Sequence, residues 1–222
     1  MATQDELFAD ARGRMVDSQI RPNRVVDLRV LSAMRTVPRE RFLPPEVQAL
    51  AYADQDVPLG SERYLMEPMV FARLLQAAKL AENEQVLVVG AGTGYGAAVL
   101  AACGCRVTAL EEDPALLAIA GAVLPREAPG VDLVAGPLAS GWLSHSPYDL
   151  ILIEGAVPEI PPALAGQVRQ ETGRILGALY APGGITQAVM AEATAYGLSF
   201  TALFDCATRP LPSLRKAPVF SF

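Results

Sequence analysis

The sequence predicts an α/β fold, in which helices cover both faces of a parallel sheet. Beyond residue 80, short apolar segments of strand length alternate with segments of helical periodicity. A glycine-rich turn directly follows the first of these apolar segments. Before residue 80, apolar residues recur at helical spacing instead. We therefore expect a helical extension of residues 1–80 packed on a core of residues 81–222.

Three apolar stripes with helical spacing define the predicted extension. We expect each stripe to pack on the core, because the apolar face of a helix in a globular protein is buried. The stripes are, in chain order, Leu7, Phe8, Ala11 and Met15; Val26, Val30, Leu31 and Met34; and Met69, Val70, Leu74, Leu75 and Ala78. Pro22 and Pro38 are expected to end the first two helices.

The core is predicted to contain alternating strands and helices. The predicted strands are 85–89, 106–110, 131–135, 148–153, 174–179, 185–190 and 198–204. The predicted helices are 94–103, 114–124 and 161–170. The first strand is almost continuously apolar, which is typical of a strand buried on both faces. This alternation favours a parallel sheet with crossover helices.

Composition and charge exclude several classes of protein. Of the 222 residues, 51% are apolar and 19% are charged, which excludes intrinsic disorder. The net charge of -6 does not suit a broad nucleic-acid surface. No apolar run approaches the roughly 20 residues of a membrane span, and the acidic start is not typical of a signal peptide. We therefore expect a cytoplasmic protein that binds neither nucleic acid nor membranes. The sequence does not indicate its oligomeric state.

Cysteine and histidine are too scarce for several kinds of site. The cysteines, Cys103, Cys105 and Cys206, lack the spacing of a disulfide framework or of a Cys-x-x-Cys metal site. His145 is the only histidine, which leaves little for a zinc site or a Ser-His-Asp triad. We therefore predict that the protein holds no metal.

A glycine turn and an acidic residue after the next strand form the principal motif. The turn reads Gly90-Ala-Gly92-Thr-Gly94 and lies between the first core strand and a helix. Its glycines let the backbone turn tightly and leave room for a ligand, which the N–H groups of the helix would face. Glu111 ends the next strand, 21 positions after Gly90. This is close to the spacing of about 20 at which a carboxylate accepts ribose hydroxyls.

Three interpretations of this motif are open. The turn serves only close packing of helix and strand, or it binds a dinucleotide, or it binds S-adenosylmethionine. The dinucleotide fingerprint has glycine where this chain has Tyr95. A nicotinamide-dependent oxidoreductase is further disfavoured because the sequence shows no Tyr-x-x-x-Lys motif. The spacing therefore favours S-adenosylmethionine, which has a ribose and an amino-acid tail but no phosphate.

Motifs distributed over most of the chain indicate one family. They are Asp27 to Pro44; Ala51-Tyr52-Ala-Asp54 with Val57-Pro58-Leu59-Gly60; Val86 to Leu100; Gly141-Trp142; Tyr148 to Ile153; Ala156 to Pro161; and Arg209-Pro210-Leu211. From about Met15 to Leu211, the chain resembles the protein-L-isoaspartate O-methyltransferases. The segment from Asp27 to Pro44 is the specific part of the resemblance, because many unrelated methyltransferases share the glycine turn.

The resemblance implies a fold and an activity. The fold is a Rossmann-like methyltransferase sheet of seven strands, mostly parallel, with an N-terminal helical addition. The activity is transfer of a methyl group from S-adenosylmethionine to the side-chain carboxylate of isoaspartyl residues in damaged proteins, so the partner is a protein or peptide. Because a carboxylate is already nucleophilic, alignment and exclusion of water supply most of the rate.

The resemblance also implies site residues. Those expected to bind S-adenosylmethionine are Gly90, Ala91, Gly92, Thr93, Gly94, Tyr95, Glu111, Glu112, Gly136 and Leu138. Those expected to line the substrate pocket are Tyr64, Met66, Glu67, Pro158 and Arg209. No catalytic residue is assigned, because Met66 stands where the family has a serine.

Departures from the family pattern affect both halves of the site. Met66 cannot donate a hydrogen bond as a serine does, and Tyr64 is larger than the family's threonine. Glu67 adds a negative charge beside the expected anionic substrate. Val88 replaces an acidic residue before the glycine turn, and Pro137 replaces the aspartate of a Gly-Asp-Gly stretch. We therefore expect weak cofactor binding or altered adenine contacts. The alternative function is a degenerate family member that methylates another acceptor or acts as a binding protein.

Overall fold

In the part of the chain that the structure describes, the β-structure consists of a seven-stranded sheet and a separate two-stranded hairpin. The computed structural model describes residues 3–181 and 183–215. The strands are Val57–Gly60 (β1), Arg63–Leu65 (β2), Gln85–Val89 (β3), Arg106–Glu111 (β4), Asp132–Ala135 (β5), Leu150–Val157 (β6), Arg174–Leu179 (β7), Thr186–Thr194 (β8) and Gly197–Cys206 (β9). The α-helices are Gln4–Met15 (α1), Leu28–Thr36 (α2), Pro68–Ala78 (α3), Tyr95–Ala102 (α4), Pro114–Glu127 (α5) and Pro162–Ala165 (α6).

The large sheet is mostly parallel and has the strand order β5-β4-β3-β6-β7-β8-β9. The five strands from β5 to β7 in this order are parallel, whereas β8 and β9 are antiparallel to their neighbours. The predicted fold class is therefore confirmed. Because β4 and β6 lie on opposite sides of β3, the strand order reverses there. Ligands of open α/β sheets bind at such a point, outside the carboxyl ends of the strands.

Strand β3 is buried on both faces, as its apolar run predicts. Val86 and Val88 belong to one hydrophobic cluster, and Leu87 and Val89 belong to another, since successive side chains of a strand face opposite sides. The helices before residue 80 contribute to the first cluster and cover that face of the sheet. Within the described ranges, no helix has both the length and the apolar character needed to cross a membrane.

The three N-terminal helices begin where the sequence supplies caps. Thr3 and Glu6 form a capping box at α1, the Asp27 side chain accepts a backbone N–H at the start of α2, and Pro68 opens α3. The predicted stripes lie on these helices except for Val26, but Leu7 of the first stripe is 57% exposed, so its expected packing on the core was wrong. Val26 precedes α2 and is 70% exposed, so its assignment to the second stripe was wrong, because the helix starts only after its Asp27 cap.

The predicted helix at 161–170 is wrong beyond its first turn, since α6 ends at Ala165. Beyond it, Val168 forms a parallel bridge with Tyr148. The N–H of Tyr148 donates to the carbonyl of Gln167 at 2.8 Å. This pairing, which precedes β6, takes up backbone groups that a longer helix would need.

The hairpin of β1 and β2 was not predicted. Val57 pairs with Leu65, and the two residues between the strands, Ser61 and Glu62, have φ of 49° and 55°. Positive φ at both positions matches a type I′ turn, although neither residue is glycine. Pro58 is of a residue type depleted in strands, which obscured the strand signal in the sequence.

Candidate functional site

The glycine turn lies at the carboxyl end of β3, where the strand order reverses. Gly90, Gly92 and Gly94 have φ of 73°, 58° and 96°, a conformation that residues other than glycine rarely adopt. The N–H of Gly90 donates to the carbonyl of Leu110 at 3.0 Å. This bond holds the turn against the end of β4, where Glu111 follows.

Glu111 has 0% exposure, and its carboxylate accepts three backbone N–H groups. Oε2 accepts from Gly92 at 2.7 Å. Oε1 accepts from Glu112 at 2.8 Å and from Asp113 at 3.0 Å. The two halves of the motif, the turn and the acid, therefore contact each other directly.

Arg63 of the hairpin forms a bidentate ion pair with Glu111. Its Nη1 donates to Oε1 at 2.8 Å, and its Nη2 donates to Oε2 at 2.9 Å. Nη2 also donates to the carbonyl of Gly90 at 2.9 Å, and Arg63 is 6% exposed. Arg63 was not predicted from the sequence, because it lies 48 positions from Glu111 and no motif joins the two residues.

Two leucines cover the rest of the glycine turn. Leu59 of the hairpin lies so close to Gly92 that a Cβ there would be 3.1 Å from the leucine Cδ1. Leu211 packs against Gly90 and Gly155, and a Cβ on Gly155 would be 2.5 Å from its Cγ. Leu211 and Gly155 line a cavity of about 10 Å³, which we call the small cavity and which has room for about one water molecule.

We call the space in front of the glycine turn, where Leu59, Arg63 and Leu211 lie, the crevice. Other residues expected to bind the cofactor lie beside it. The N–H of Gly136 donates to the carbonyl of Glu111 at 3.0 Å. The N–H of Leu138 donates to the carboxylate of Glu112 at 3.2 Å. These bonds place the segment after β5 next to the end of β4.

Tyr95, Ala91 and Thr93 are buried residues of the turn and of the start of α4. Tyr95 is 1% exposed, and its ring centroid lies 5.7 Å from that of Phe42 and 5.8 Å from that of Phe71. Ala91 and Thr93 are 1% and 0% exposed. Tyr95 thus occupies the place of the last glycine of the dinucleotide fingerprint with an aromatic ring in the core.

A second buried carboxylate, Glu154, was not predicted from the sequence. It lies in β6, is 8% exposed and lines the small cavity. A Cβ on Gly96 would be 1.5 Å from its Oε1, so the side chain fits only because residue 96 is glycine. Burial raises the pKa of Glu154 to about 8, an effect that Arg39 and Arg63 partly offset. The one signal in the sequence is an acidic residue that interrupts the apolar run of β6.

Arg39 is fully buried and anchors the segment that precedes α3. Its Nε donates to the carbonyl of Ala51 at 2.8 Å, and its Nη2 donates to the carbonyl of Met66 at 2.7 Å. Met66, at the position of the family's serine, is 4% exposed and lines the small cavity with Glu154. At the position of the family's serine, the structure therefore places a thioether in the same cavity as this carboxylate.

An open groove of about 460 Å³ adjoins the small cavity. We call it the acidic groove, and its lining residues are Asp54, Gln55, Asp56, Tyr64, Glu67, Ala207 and Arg209. Asp56 accepts the N–H of Glu67 at 2.7 Å and the N–H of Arg209 at 3.2 Å. The Arg209 guanidinium lies 5.5 Å from the centroid of the Tyr64 ring. Burial, with the charges of Asp54 and Asp56, raises the pKa of Glu67 to about 7.

The residues expected to line the substrate pocket are only partly brought together. Tyr64, Glu67 and Arg209 meet in the acidic groove, and Met66 lies in the small cavity next to it. Pro158 is half-buried and lies outside the residues that line these two cavities.

S-adenosylmethionine does not fit the crevice in this arrangement. A ligand of its size needs a pocket of several hundred Å³, whereas the small cavity, which Arg63 and Leu211 line beside the glycine turn, is about 10 Å³. The carboxylate of Glu111 is also saturated, because it has about four lone-pair sites and accepts five hydrogen bonds. A further donor reaches the Glu111 carboxylate only if Arg63 moves.

Sequence comparisons match this chain to one family over most of its length. The family model described as protein-L-isoaspartate(D-aspartate) O-methyltransferase matches residues 11–191. The chain is 36% identical over 214 residues to the protein-L-isoaspartate O-methyltransferase of Koribacter versatilis (strain Ellin345), a match that covers 95% of this chain and 96% of that protein. It is 40% identical over 176 residues to the protein of the same name from Methylorubrum populi, covering 79% and 82% of the two chains.

Solved structures share the fold. One named protein-L-isoaspartate O-methyltransferase matches with a TM-score of 0.80 at 23% identity, over 92% of this chain and 67% of that chain. A Plasmodium falciparum structure in complex with S-adenosyl-L-homocysteine matches with a TM-score of 0.77 at 15% identity, over 91% and 98% of the two chains. At these identities the structures establish the fold alone. The family match and the identity to relatives over almost the whole chain show that it belongs to the protein-L-isoaspartate(D-aspartate) O-methyltransferase family.

Proposed function

We propose that this chain methylates the side-chain carboxylate of isoaspartyl residues in proteins or peptides. As a member of its family, it is an S-adenosylmethionine-dependent methyltransferase. The observation that carries the proposal is the 36% identity over 214 residues, which covers 95% of the chain. A match of that extent includes the segment before residue 80, and not only the glycine turn that many methyltransferases share.

On the cofactor side, we assign the turn from Gly90 to Gly94 as the backbone cradle and Glu111 as the acceptor of the ribose hydroxyls. The hydrogen bonds that join the turn to Glu111 support this assignment. Glu112 and Leu138 lie next to them and are assigned to the same side. These residues can bind the cofactor only when the crevice is open. In the closed arrangement, Arg63 donates to both of the Glu111 oxygens that the ribose hydroxyls would use.

The acidic groove is the place that we propose for the methyl acceptor. It adjoins the small cavity and shares Tyr64 and Arg209 with it. Arg209 is exposed, and a guanidinium binds carboxylates through charge-assisted hydrogen bonds. Because a carboxylate is already nucleophilic, the replacement of the family's serine by Met66 leaves positioning as the main requirement.

We further propose that the protein works in the cytoplasm on a protein or peptide partner. Cys103, Cys105 and Cys206 are all unpaired, as expected in a reducing compartment. The net charge of -6 supports the absence of a nucleic-acid partner.

The closed crevice favours a second candidate function. Because Arg63 and Leu211 fill the space in front of the glycine turn, a family member of this kind could act through protein contacts with weak or no cofactor binding. This candidate predicts that S-adenosylhomocysteine produces neither heat nor a thermal shift.

Methyl transfer to a synthetic peptide tests the proposed function. The full chain is incubated with S-adenosylmethionine labelled in its methyl group and with an isoaspartyl peptide. We expect label in a base-labile methyl ester of that peptide, and little label in a control peptide with ordinary aspartate. Cofactor binding without transfer to either peptide would indicate another acceptor. The absence of both binding and transfer at millimolar ligand would favour the second candidate.

A further inference from the structure

We propose that the β1–β2 hairpin blocks the cofactor crevice, because the Arg63 guanidinium occupies the position at which the ribose of the cofactor binds. Cofactor binding then requires the hairpin to withdraw. This inference rests on the proposed function, since it concerns how the same crevice is opened. It makes Arg63 a competitor of the cofactor for Glu111.

The Arg63 guanidinium and a ribose present similar hydrogen-bond donors to Glu111, so each can take the place of the other. A guanidinium presents two parallel N–H donors that match the two oxygens of a carboxylate. The vicinal hydroxyls of a ribose likewise present two O–H donors. Arg63 uses both of its donors in this way, at 2.8 and 2.9 Å from the Glu111 oxygens.

The two occupants exclude each other. Glu111 already accepts three backbone N–H groups, so the pair of bonds from Arg63 takes its remaining capacity. Leu59, on the same hairpin, lies against Gly92, and this contact removes the space that a ligand needs at the turn. A single movement of the hairpin would withdraw both Arg63 and Leu59.

The hairpin is built so that it can move without disrupting the large sheet. It forms a two-stranded sheet of its own and is not a member of the seven-stranded one, so its withdrawal breaks no strand pairing of the large sheet. Val57, Leu59 and Leu65 pack in the hydrophobic core, so withdrawal costs apolar contacts that the bound ligand must offset. At its turn, Glu62 pairs with Arg215 at 2.7 Å through side chains that are 68% and 44% exposed, and exposed pairs contribute little stability.

The closed arrangement also leaves buried polar groups without partners. Thr208 lines the small cavity and Thr93 belongs to the glycine turn, and neither hydroxyl oxygen has a hydrogen-bond partner. Glu154 lines the same cavity with a carboxyl that burial keeps protonated around neutral pH. Unsatisfied buried polar groups are costly, so they lower the stability of the closed arrangement.

Calorimetric titration with S-adenosylhomocysteine tests the competition. R63A should bind more tightly than the wild type by about tenfold or more, because apparent affinity is reduced by the fraction of molecules in the closed state. R41A is the matched control, since Arg41 also donates from Nη1 to a glutamate, Glu127, at 2.8 Å but lies away from the crevice. R41A should bind as the wild type does. Equal affinity of R63A and the wild type overturns the proposal.

Hydrogen exchange in the wild-type protein provides a second measurement if R63A fails to fold. Peptides covering residues 57–65 should exchange faster when S-adenosylhomocysteine is bound, because the ligand displaces the hairpin. Peptides covering the turn from Gly90 to Gly94 should exchange more slowly. Slower exchange in both segments would show that the ligand binds beneath a hairpin that stays in place, and would overturn the proposal.

The failure of this inference is distinguishable from the failure of the proposed function. If the wild type and R63A bind S-adenosylhomocysteine equally tightly, the proposal that Arg63 closes the crevice is overturned, but the proposed methyltransferase function is not. No binding by either protein at millimolar ligand overturns both.

Discussion

Four ionisable side chains are buried close to the glycine turn, and they differ in how the cost of burying a charge is offset. Arg63 and Glu111 form a bidentate pair, which offsets much of the cost of burying two charges. Arg39 donates to backbone carbonyls. Glu154 is stabilised by protonation instead, since burial raises its pKa to about 8. The region therefore has less negative charge at neutral pH than its sequence indicates.

Glu154 makes the stability of the fold depend on pH. Its pKa rises from an ordinary value of 4.5 to about 8 on folding, so between these values the folded carboxyl keeps a proton that the unfolded one loses. The free energy of unfolding therefore falls as the pH rises through this window, and the full penalty is present above pH 8. We expect E154Q to be more stable than the wild type at about pH 8.5 by a few kcal/mol, since each pKa unit is equivalent to about 1.4 kcal/mol.

Urea unfolding at acidic and alkaline pH measures this effect. Because the pKa of Glu67 is also raised, to about 7, E154Q should flatten the wild-type profile without abolishing its slope. E192Q, at an exposed position on β8, is the control and should follow the wild type. A profile for E154Q as steep as that of the wild type would contradict a buried, protonated Glu154.

Glu67 makes the proposed acceptor site sensitive to pH. With a pKa of about 7, it is mostly neutral at lower pH and ionised at higher pH. Since an ionised Glu67 repels a peptide carboxylate, the KM for an isoaspartyl peptide should rise as the pH passes 7. E67Q should lower that KM at alkaline pH about threefold to tenfold, because two charges about 4 Å apart interact by roughly 1 kcal/mol in water. Equal KM values for both proteins at acidic and alkaline pH would exclude this role.

At the scale of elements, continuous apolar runs were predictable and distant contacts were not. Strands β3 and β7 have the predicted bounds, because strands buried on both faces are apolar throughout. The hairpin was missed and the helix at 161–170 was wrong, because the first depends on an unusual turn and the second is cut short by the pairing of Val168 with Tyr148. The approach of the glycine turn to Glu111 follows from local spacing, whereas the contact with Arg63 does not.

The close approach of α4 and β6 at Gly96 leads to a prediction on stability. An alanine Cβ there would lie 1.5 Å from Glu154 Oε1 and 3.1 Å from the Phe71 ring. In an unconstrained helix, replacement of glycine by alanine stabilises by about 1 kcal/mol. Here we expect G96A to lower the free energy of unfolding by about 1–3 kcal/mol, as overpacking does in cores. Urea denaturation measures the change.

Two further variants test whether the clash with Glu154 causes the lower free energy of unfolding of G96A. G130A should be nearly neutral, because nothing lies within 4 Å of a Cβ at Gly130. In the double variant G96A/E154A, the clash is removed, so the loss should be smaller than the sum of the two single losses. A G96A protein as stable as the wild type would mean that the Glu154 side chain does not occupy this place.

At the scale of the whole molecule, the sheet positions the candidate site, and residues of the N-terminal part of the chain cover it. The sheet supplies the glycine turn and Glu111, and the segment before residue 80 supplies Leu59, Arg63 and the Arg39 anchor. One hydrophobic cluster includes residues from both parts, so the division into an extension of residues 1–80 and a core of residues 81–222 stays a prediction. The fold class was predictable from the alternation of strands and helices, but the closure was not, because it arises where the two parts meet.

The most direct test of the central claim is a crystal structure of the full chain with saturating S-adenosylhomocysteine. We predict that both ribose hydroxyls lie within hydrogen-bond distance of the Glu111 carboxylate, with Arg63 withdrawn from it and the hairpin displaced. An intact ion pair between Arg63 and Glu111, with side chains still filling the crevice under those conditions, would contradict the account.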